Sequence, residues 1–168
     1  MKPELKYGLT AGAGVCLWTL GEFLLGFHTT RLAIGAYSGF LAGVIPLVTL
    51  FLLLKAKRAA SPDGRLTLWP GVKSGLHAAF ISGVIVYGFM FLYSNFINPG
   101  WMDHALDWRV ARLRADGVTE IAIRDKIKLY RQMSSPVGCL LSIVGGTTVV
   151  GAIFAAGLTL VLRRWPRK

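Results

Sequence analysis

YGLTAGAGVCLWTLGEFLLG, residues 7–26, is the stretch on which the fold turns. Its 20 residues hold one ionisable side chain, Glu22. As a helix rising about 1.5 Å per residue it covers roughly 30 Å, the thickness of a bilayer's hydrocarbon core. A carboxylate about one turn from the end of such a helix is costly unless it finds a partner or reaches water. Stepping back from Glu22 at helical spacing meets Thr19, Trp18, Val15, Ala11 and Gly8, and stepping forward meets Gly26. Leu9, Leu17, Leu20 and Leu24 fall on the opposite side. Small and polar residues therefore share one face and leucines the other, which points Glu22 into a bundle of helices.

Outward from this segment the chain stays apolar. Of its 168 residues 54% are hydrophobic and 16% charged, and the mean hydropathy is +0.54. That is too apolar for a soluble domain of this length. Further apolar runs occupy 36–54, 76–96 and 137–162. The expected fold class is all-α, an integral membrane four-helix bundle forming one domain over 1–168. Lys2 and Lys6 ahead of the first run resemble a signal sequence, but the run is long enough to span and contains Glu22. Ala13-Gly14-Val15-Cys16 is a poor lipoprotein site, because Val15 precedes the cysteine. The segment is kept as a span. Cys16 and Cys139 fall at different depths and are expected as free thiols.

The formal net charge of +11 would suggest nucleic acid in a soluble protein. Here the basic residues collect at the ends of apolar segments, no aromatic-basic groove pattern accompanies them, and no nucleic-acid partner is expected. Their placement speaks to topology instead. The 31–35 connection carries Arg31 alone, whereas the next begins Lys55-Ala56-Lys57-Arg58 and adds Arg65 and Lys73. By the positive-inside rule both termini and this second connection are cytoplasmic, which gathers 11 of the 19 basic residues, Arg163, Arg164, Arg167 and Lys168 among them, on one side.

The third connection, 97–136, is the one sizeable piece outside the spans. Met102, Leu106, Val110 and Leu113 form one helical stripe, Asp116-Gly117 breaks it, and Thr119 caps a second helix with Glu120 four residues before Arg124. That helix sets Ile123, Ile127 and Tyr130 on one side and Arg124, Lys128 and Arg131 on another. An extramembrane amphipathic helical hairpin over 101–133, lying over the outer mouth of the bundle, is expected.

Candidate functional groups are few. Glu22 either relays a proton, coordinates a cation or holds a basic ligand, or it is a structural carboxylate bonded to a neighbouring helix or to Arg31. His28, Asn95 and Asn98 belong to the same outer end; the asparagines cap the third helix or line a polar cavity with Glu22. Arg124, Lys128 and Arg131 are a candidate stripe for anionic groups, or a solvated face. Gly35, Gly39 and Gly43 form overlapping G-x-x-x-G units and are expected in a helix-packing seam, and Gly8, Gly12, Gly71, Gly75, Ala79 and Gly83 repeat the theme. No histidine, cysteine or carboxylate spacing suggests a metal, no cofactor fingerprint is present, and no nucleophile stands beside a base. No catalytic residue is assigned.

Lys6-Tyr7-Gly8-Leu9, Glu22 followed by Leu25-Gly26-Phe27-His28-Thr29-Thr30, Pro46, Asn95-Phe96-Ile97-Asn98-Pro99 and Ser135-Pro136 together resemble domain of unknown function 4199, a bacterial family. The resemblance covers nearly the whole chain and implies four spans with a charged outer loop, and it transfers no activity. The expected role is a non-catalytic, multi-pass inner-membrane protein that works by interaction, as an accessory or assembly component. Its partners would be membrane lipids and a membrane protein or a second copy. The alternative is a small transporter or lipid-handling protein with Glu22 as its proton- or cation-sensitive group.

Overall fold

A computed structural model describes residues 1–164, so Arg167 and Lys168 of the basic C-terminal run lie outside the described residues. The described chain is helical throughout: α1 (Pro3–Leu24), α2 (Leu32–Ala42), α3 (Val44–Ala59), α4 (Leu68–Leu92), α5 (Trp101–Ala115), α6 (Glu120–Met133), α7 (Pro136–Cys139) and α8 (Gly146–Arg164). π-helical turns at Tyr93–Ile97 and Leu140–Gly145 extend α4 and join α7 to α8. Three continuous helical stretches are long and apolar enough to cross a membrane: Leu32–Ala59, Leu68–Ile97 and Pro136–Arg163. α1 is not among them, because its glycines and threonines and the charged Glu4, Lys6 and Glu22 dilute its apolar character. It nevertheless packs between α3 and α4.

Local chemistry sets the ends. Pro3, with its φ already helical and no N–H to satisfy, opens α1 four residues earlier than hydropathy alone places it. Gly26, at φ 76°, reverses the chain after α1, and the Phe27 N–H returns to the Glu22 carbonyl. The second apolar run starts at Leu32 rather than residue 36 and is not one straight helix. Pro46 cannot donate to the carbonyl of Ala42 and its ring crowds that group, so the helix breaks at Gly43. The third begins at Leu68, eight residues before the apolar stretch, and takes in Trp69, Pro70 and Lys73. Thr119 caps α6 by accepting from the Ala122 N–H, and the α5 and α6 stripes carrying Leu106 and Ile123 are turned inward. Glu120 does not reach forward to Arg124; it pairs with Arg114 across the turn, at 2.7 Å.

α4 is the centre. Gly8 and Gly12 of α1 lie against Ala78, Ile81 and Ile85, so α1 and α4 run in the same sense. Gly71, Gly75 and Gly83 meet Thr159, Ala155 and Thr147 in turn, so α8 runs opposite. A methyl group built on Gly8 would stand 2.8 Å from the Ala78 carbonyl oxygen, and one on Gly75 would overlap the Ala155 methyl. In lipid there is no hydrophobic drive between helices, and contact at this range supplies the dispersion energy that holds them. The outside is apolar: Leu17, Phe40, Leu141 and Ile153 are each more than 60% exposed. Lipid, rather than water, covers a surface of that extent.

The expected seam of Gly35, Gly39 and Gly43 is corrected by this geometry. Nothing lies within 4 Å of a methyl group at Gly39, Gly35 abuts the Phe27 carbonyl of its own connection, and Gly43 marks the break. A spacing motif says that two helices can approach closely without saying which ones do. Gly75→Leu should therefore lower stability by about 1–3 kcal/mol on the overpacking scale, and Gly39→Leu should leave it unchanged. Thermal unfolding of both variants in detergent checks the pair.

At one end of the bundle Glu4 clamps three helices, accepting from Lys57 Nζ of α3 at 2.7 Å and from Ser74 Oγ of α4 at 3.0 Å. The Lys57 hydrogen bond, helped by Ser74 and opposed by burial, holds the Glu4 carboxyl at about 2 against an ordinary 4.5. The folded value is the lower one, so the clamp stabilises fully above about pH 4.5 and weakens as pH falls towards 2. Melting temperature measured against pH should show this acid limb in the wild type, and Glu4→Gln should flatten it.

Candidate functional site

The opposite end assembles a polar chain from three separate elements. The first half of it is Glu22, 6% exposed, whose Oε1 accepts from Trp18 Nε1 at 2.8 Å one helical turn back. Its Oε2 faces His28 Nε2 at 3.4 Å, because the positive φ of Gly26 turns the chain and carries the imidazole back over the end of α1. His28 Nδ1 lies 2.6 Å from the Tyr93 hydroxyl, which accepts from Asn98 Nδ2 at 3.0 Å.

The π turn builds the other half. Five residues separate the Asn98 N–H from the carbonyl it reaches, that of Tyr93, and the extra residue rotates the Tyr93 ring wholly out of solvent. The edge of the Phe23 ring meets it at 5.8 Å, and Phe89 and Trp101 flank it. Trp101 Nε1 in turn donates to Ser94 Oγ at 2.9 Å, fastening α5 to the same turn.

One proton arrangement satisfies every group. Asn98 donates to the Tyr93 oxygen, the Tyr93 O–H donates to His28 Nδ1, and His28 Nε2–H donates to Glu22, which also accepts from Trp18. The chain runs in one direction from amide to carboxylate. It can hold a proton on either the carboxylate or the imidazole, and it ties the α1–α2 connection to the end of α4. Among the described residues no third histidine, cysteine or carboxylate joins Glu22 and His28 in a metal-ligating group. A cavity of about 150 Å³ between Phe27, Trp101, Trp108 and Arg109 reaches the His28 ring, and Glu22 does not line it.

Of the expected outer cluster, Glu22, His28 and Asn98 come together. Arg31 does not: its side chain is exposed, and Glu22 is bonded to Trp18 and His28 instead. Asn95 also stays apart, exposed and donating to the Phe91 carbonyl one turn back. Tyr93 and Trp101 were not among the candidates, and Trp18 was noted only as sharing the Glu22 face. Its place four residues before Glu22 was the legible signal; the inward turn of Tyr93 had none, since it depends on a π turn. Arg124, Lys128 and Arg131 are exposed together along a shallow groove with Ile127, Gln132 and Ser135.

Between the two polar ends lies an apolar cleft of about 440 Å³. Phe40, Gly43, Val44 and Leu47 wall it on the broken helix, Ala78, Ala79 and Ser82 on α4, and Thr147, Val150 and Phe154 on α8. The break before Pro46 angles α2 away from α3 and leaves the cleft open.

Residues 6–164 match the family described as Protein of unknown function (DUF4199). The chain belongs to this family. A search of curated proteins gave no match, and neither did a search of solved structures. The DUF4199 match takes in both halves of the polar chain, the Gly43 break and the apolar cleft, so all of these lie inside the family's own span.

Replacing single links of the polar chain should have graded effects. Tyr93→Phe removes one hydroxyl and leaves Asn98 Nδ2 and His28 Nδ1 buried without a partner, costing about 1–3 kcal/mol. Asn95→Ala, outside the chain, should cost far less. Thermal unfolding in detergent separates the two, and equal losses would show that Tyr93 is no more deeply committed than an exposed cap.

Proposed function

We propose that this DUF4199 member is a non-catalytic, multi-pass protein of the bacterial inner membrane that works by interaction, as an accessory or assembly component. In this reading α1 is a fourth span, since its 22 residues match the bilayer core and Glu22 is buried by its partners. Both termini and the 60–67 connection are cytoplasmic, and α5 and α6 form the outer hairpin. The single observation that carries the interaction role is the apolar cleft. It is open at the side of the bundle, at the depth of the hydrocarbon, and walled by groups that offer packing rather than chemistry. The occupant is an apolar membrane helix of a partner, for which the small residues Gly43, Ala79 and Gly151 leave room.

A second reading, a small transporter or lipid-handling protein with Glu22 as the proton- or cation-sensitive group, draws on a specific observation as well. His28 supplies a second titratable group 3.4 Å from Glu22, and a cavity touches it. Against it, the cavity stops short of Glu22, and the other polar cluster, around Glu4, lies at the far end of α1.

Complementation of a deletion strain separates the readings. Val150→Trp, which fills the cleft from its half-exposed rim, should abolish function in a stably inserted protein, and Glu22→Gln should support it. Function retained in Val150→Trp would remove the accessory reading. A stable Glu22→Gln protein that fails to complement would put transport first. Topology is read separately, with Cys16 and Cys139 replaced: a cysteine at Thr119 should label from the periplasm and one at Ser61 from the cytoplasm.

A further inference from the structure

The end of the bundle opposite Glu22 carries a second cleft, of about 560 Å³, between the first turns of α1 and α4. Its upper walls are basic: Lys2 from α1, and Lys73 and His77 one turn apart on α4, all three exposed. The one carboxylate within it, Glu4, is already occupied by Lys57 and Ser74, so the pair Glu4–Lys57 adds no net charge and Lys2 and Lys73 leave the cleft positive. Among the described residues neither Lys2 nor Lys73 meets a carboxylate. Trp69 stands at the rim, 74% exposed, where an indole marks the boundary between headgroups and hydrocarbon. Below the lysines the cleft turns apolar along Leu5 and Ile81, on the outer side of the α1–α4 seam that no other helix covers. Positive charge over an apolar trough, with an indole between, is the outline of one molecule.

We propose that this cleft binds an anionic phospholipid, its phosphate between Lys2 and Lys73 and one acyl chain along Leu5 and Ile81. Each lysine attracts the headgroup at the membrane surface, and the clamp of Glu4, Lys57 and Ser74 keeps α1 and α4 at the spacing that forms the cleft. A soluble phosphate would use the lysines and leave the trough unused. The inference needs the membrane setting but not the accessory role, so it stands or falls separately from the cleft-filling test above.

The test is native mass spectrometry on the full-length protein offered equal amounts of phosphatidylglycerol and phosphatidylcholine. The wild type should retain phosphatidylglycerol preferentially. The K2Q/K73Q variant should lose on the order of 25-fold in that affinity, about fivefold per lysine, and K2R/K73R, which keeps the charge, should hold it. The R124Q/K128Q/R131Q variant, altered at the other end, should bind as the wild type does. Undiminished preference in K2Q/K73Q would overturn the assignment, and so would a loss that follows the R124Q/K128Q/R131Q variant instead. Displacement of the lipid by glycerol 3-phosphate, which has the phosphate and no acyl chain, would overturn it in favour of a soluble ligand.

Discussion

The close approach of α4 to α1 on one side and α8 on the other is the contact on which the rest depends. Water drives apolar surfaces together; lipid does not, because it solvates leucine as well as another helix would. What remains is dispersion, which fades within an ångström of optimal contact, so backbones must come near. Gly8 and Gly12 allow this against Ala78, Ile81 and Ile85, and Gly71 and Gly75 allow it against Thr159 and Ala155. α4 is thereby held on two faces by residues with little or no side chain, while its larger residues, Phe80 and Phe91 among them, point outward. The large side chains of this protein cover its surface and the small ones make its interior, the reverse of a soluble core.

Polar groups are placed by the same logic, at the two ends and with partners. Glu4 is bonded by Lys57 and Ser74, and Glu22 by Trp18 and His28. Each cluster reaches across helices that the glycine contacts have already brought together, and each then limits how far those helices can slide. The Glu22 chain depends on two departures from regular helix, the positive φ of Gly26 and the π turn at Tyr93–Ile97. A regular helix through 93–97 would set the Tyr93 ring about a quarter turn or more from its present direction, by the 100° that one residue turns. His28 would then have no phenol to meet.

Much of the helical order was legible before any coordinates. Unbroken apolar runs, Pro3 and Pro136 at helix starts, Thr119 as a cap and the Asp116-Gly117 break are local signals, and local signals act through φ, ψ and the nearest hydrogen bonds. The stripes of α5 and α6 were legible for the same reason, since Leu106 and Ile123 sit on the faces that turned inward. The glycine motifs were legible only as a capacity. The spacing of Gly35, Gly39 and Gly43 is as regular as that of Gly71 and Gly75, yet Gly39 faces open space. Which face of α2 turns inward is decided by the break at Gly43 and the neighbours beyond it.

By itself, then, the sequence determined an all-helical membrane protein with Glu22 turned inward, because hydropathy and helical spacing are properties of neighbouring residues. Tertiary structure alone decided what Glu22 meets. Arg31 is nearer along the chain than Tyr93 and carries the complementary charge, but it points to solvent, and His28 takes its place with Tyr93 behind it, 65 residues from His28. The physical reason is geometric. A hydrogen bond needs its atoms within about 3 Å and in line, and that precision came from two backbone turns and one helix contact that no pattern of residue types encodes.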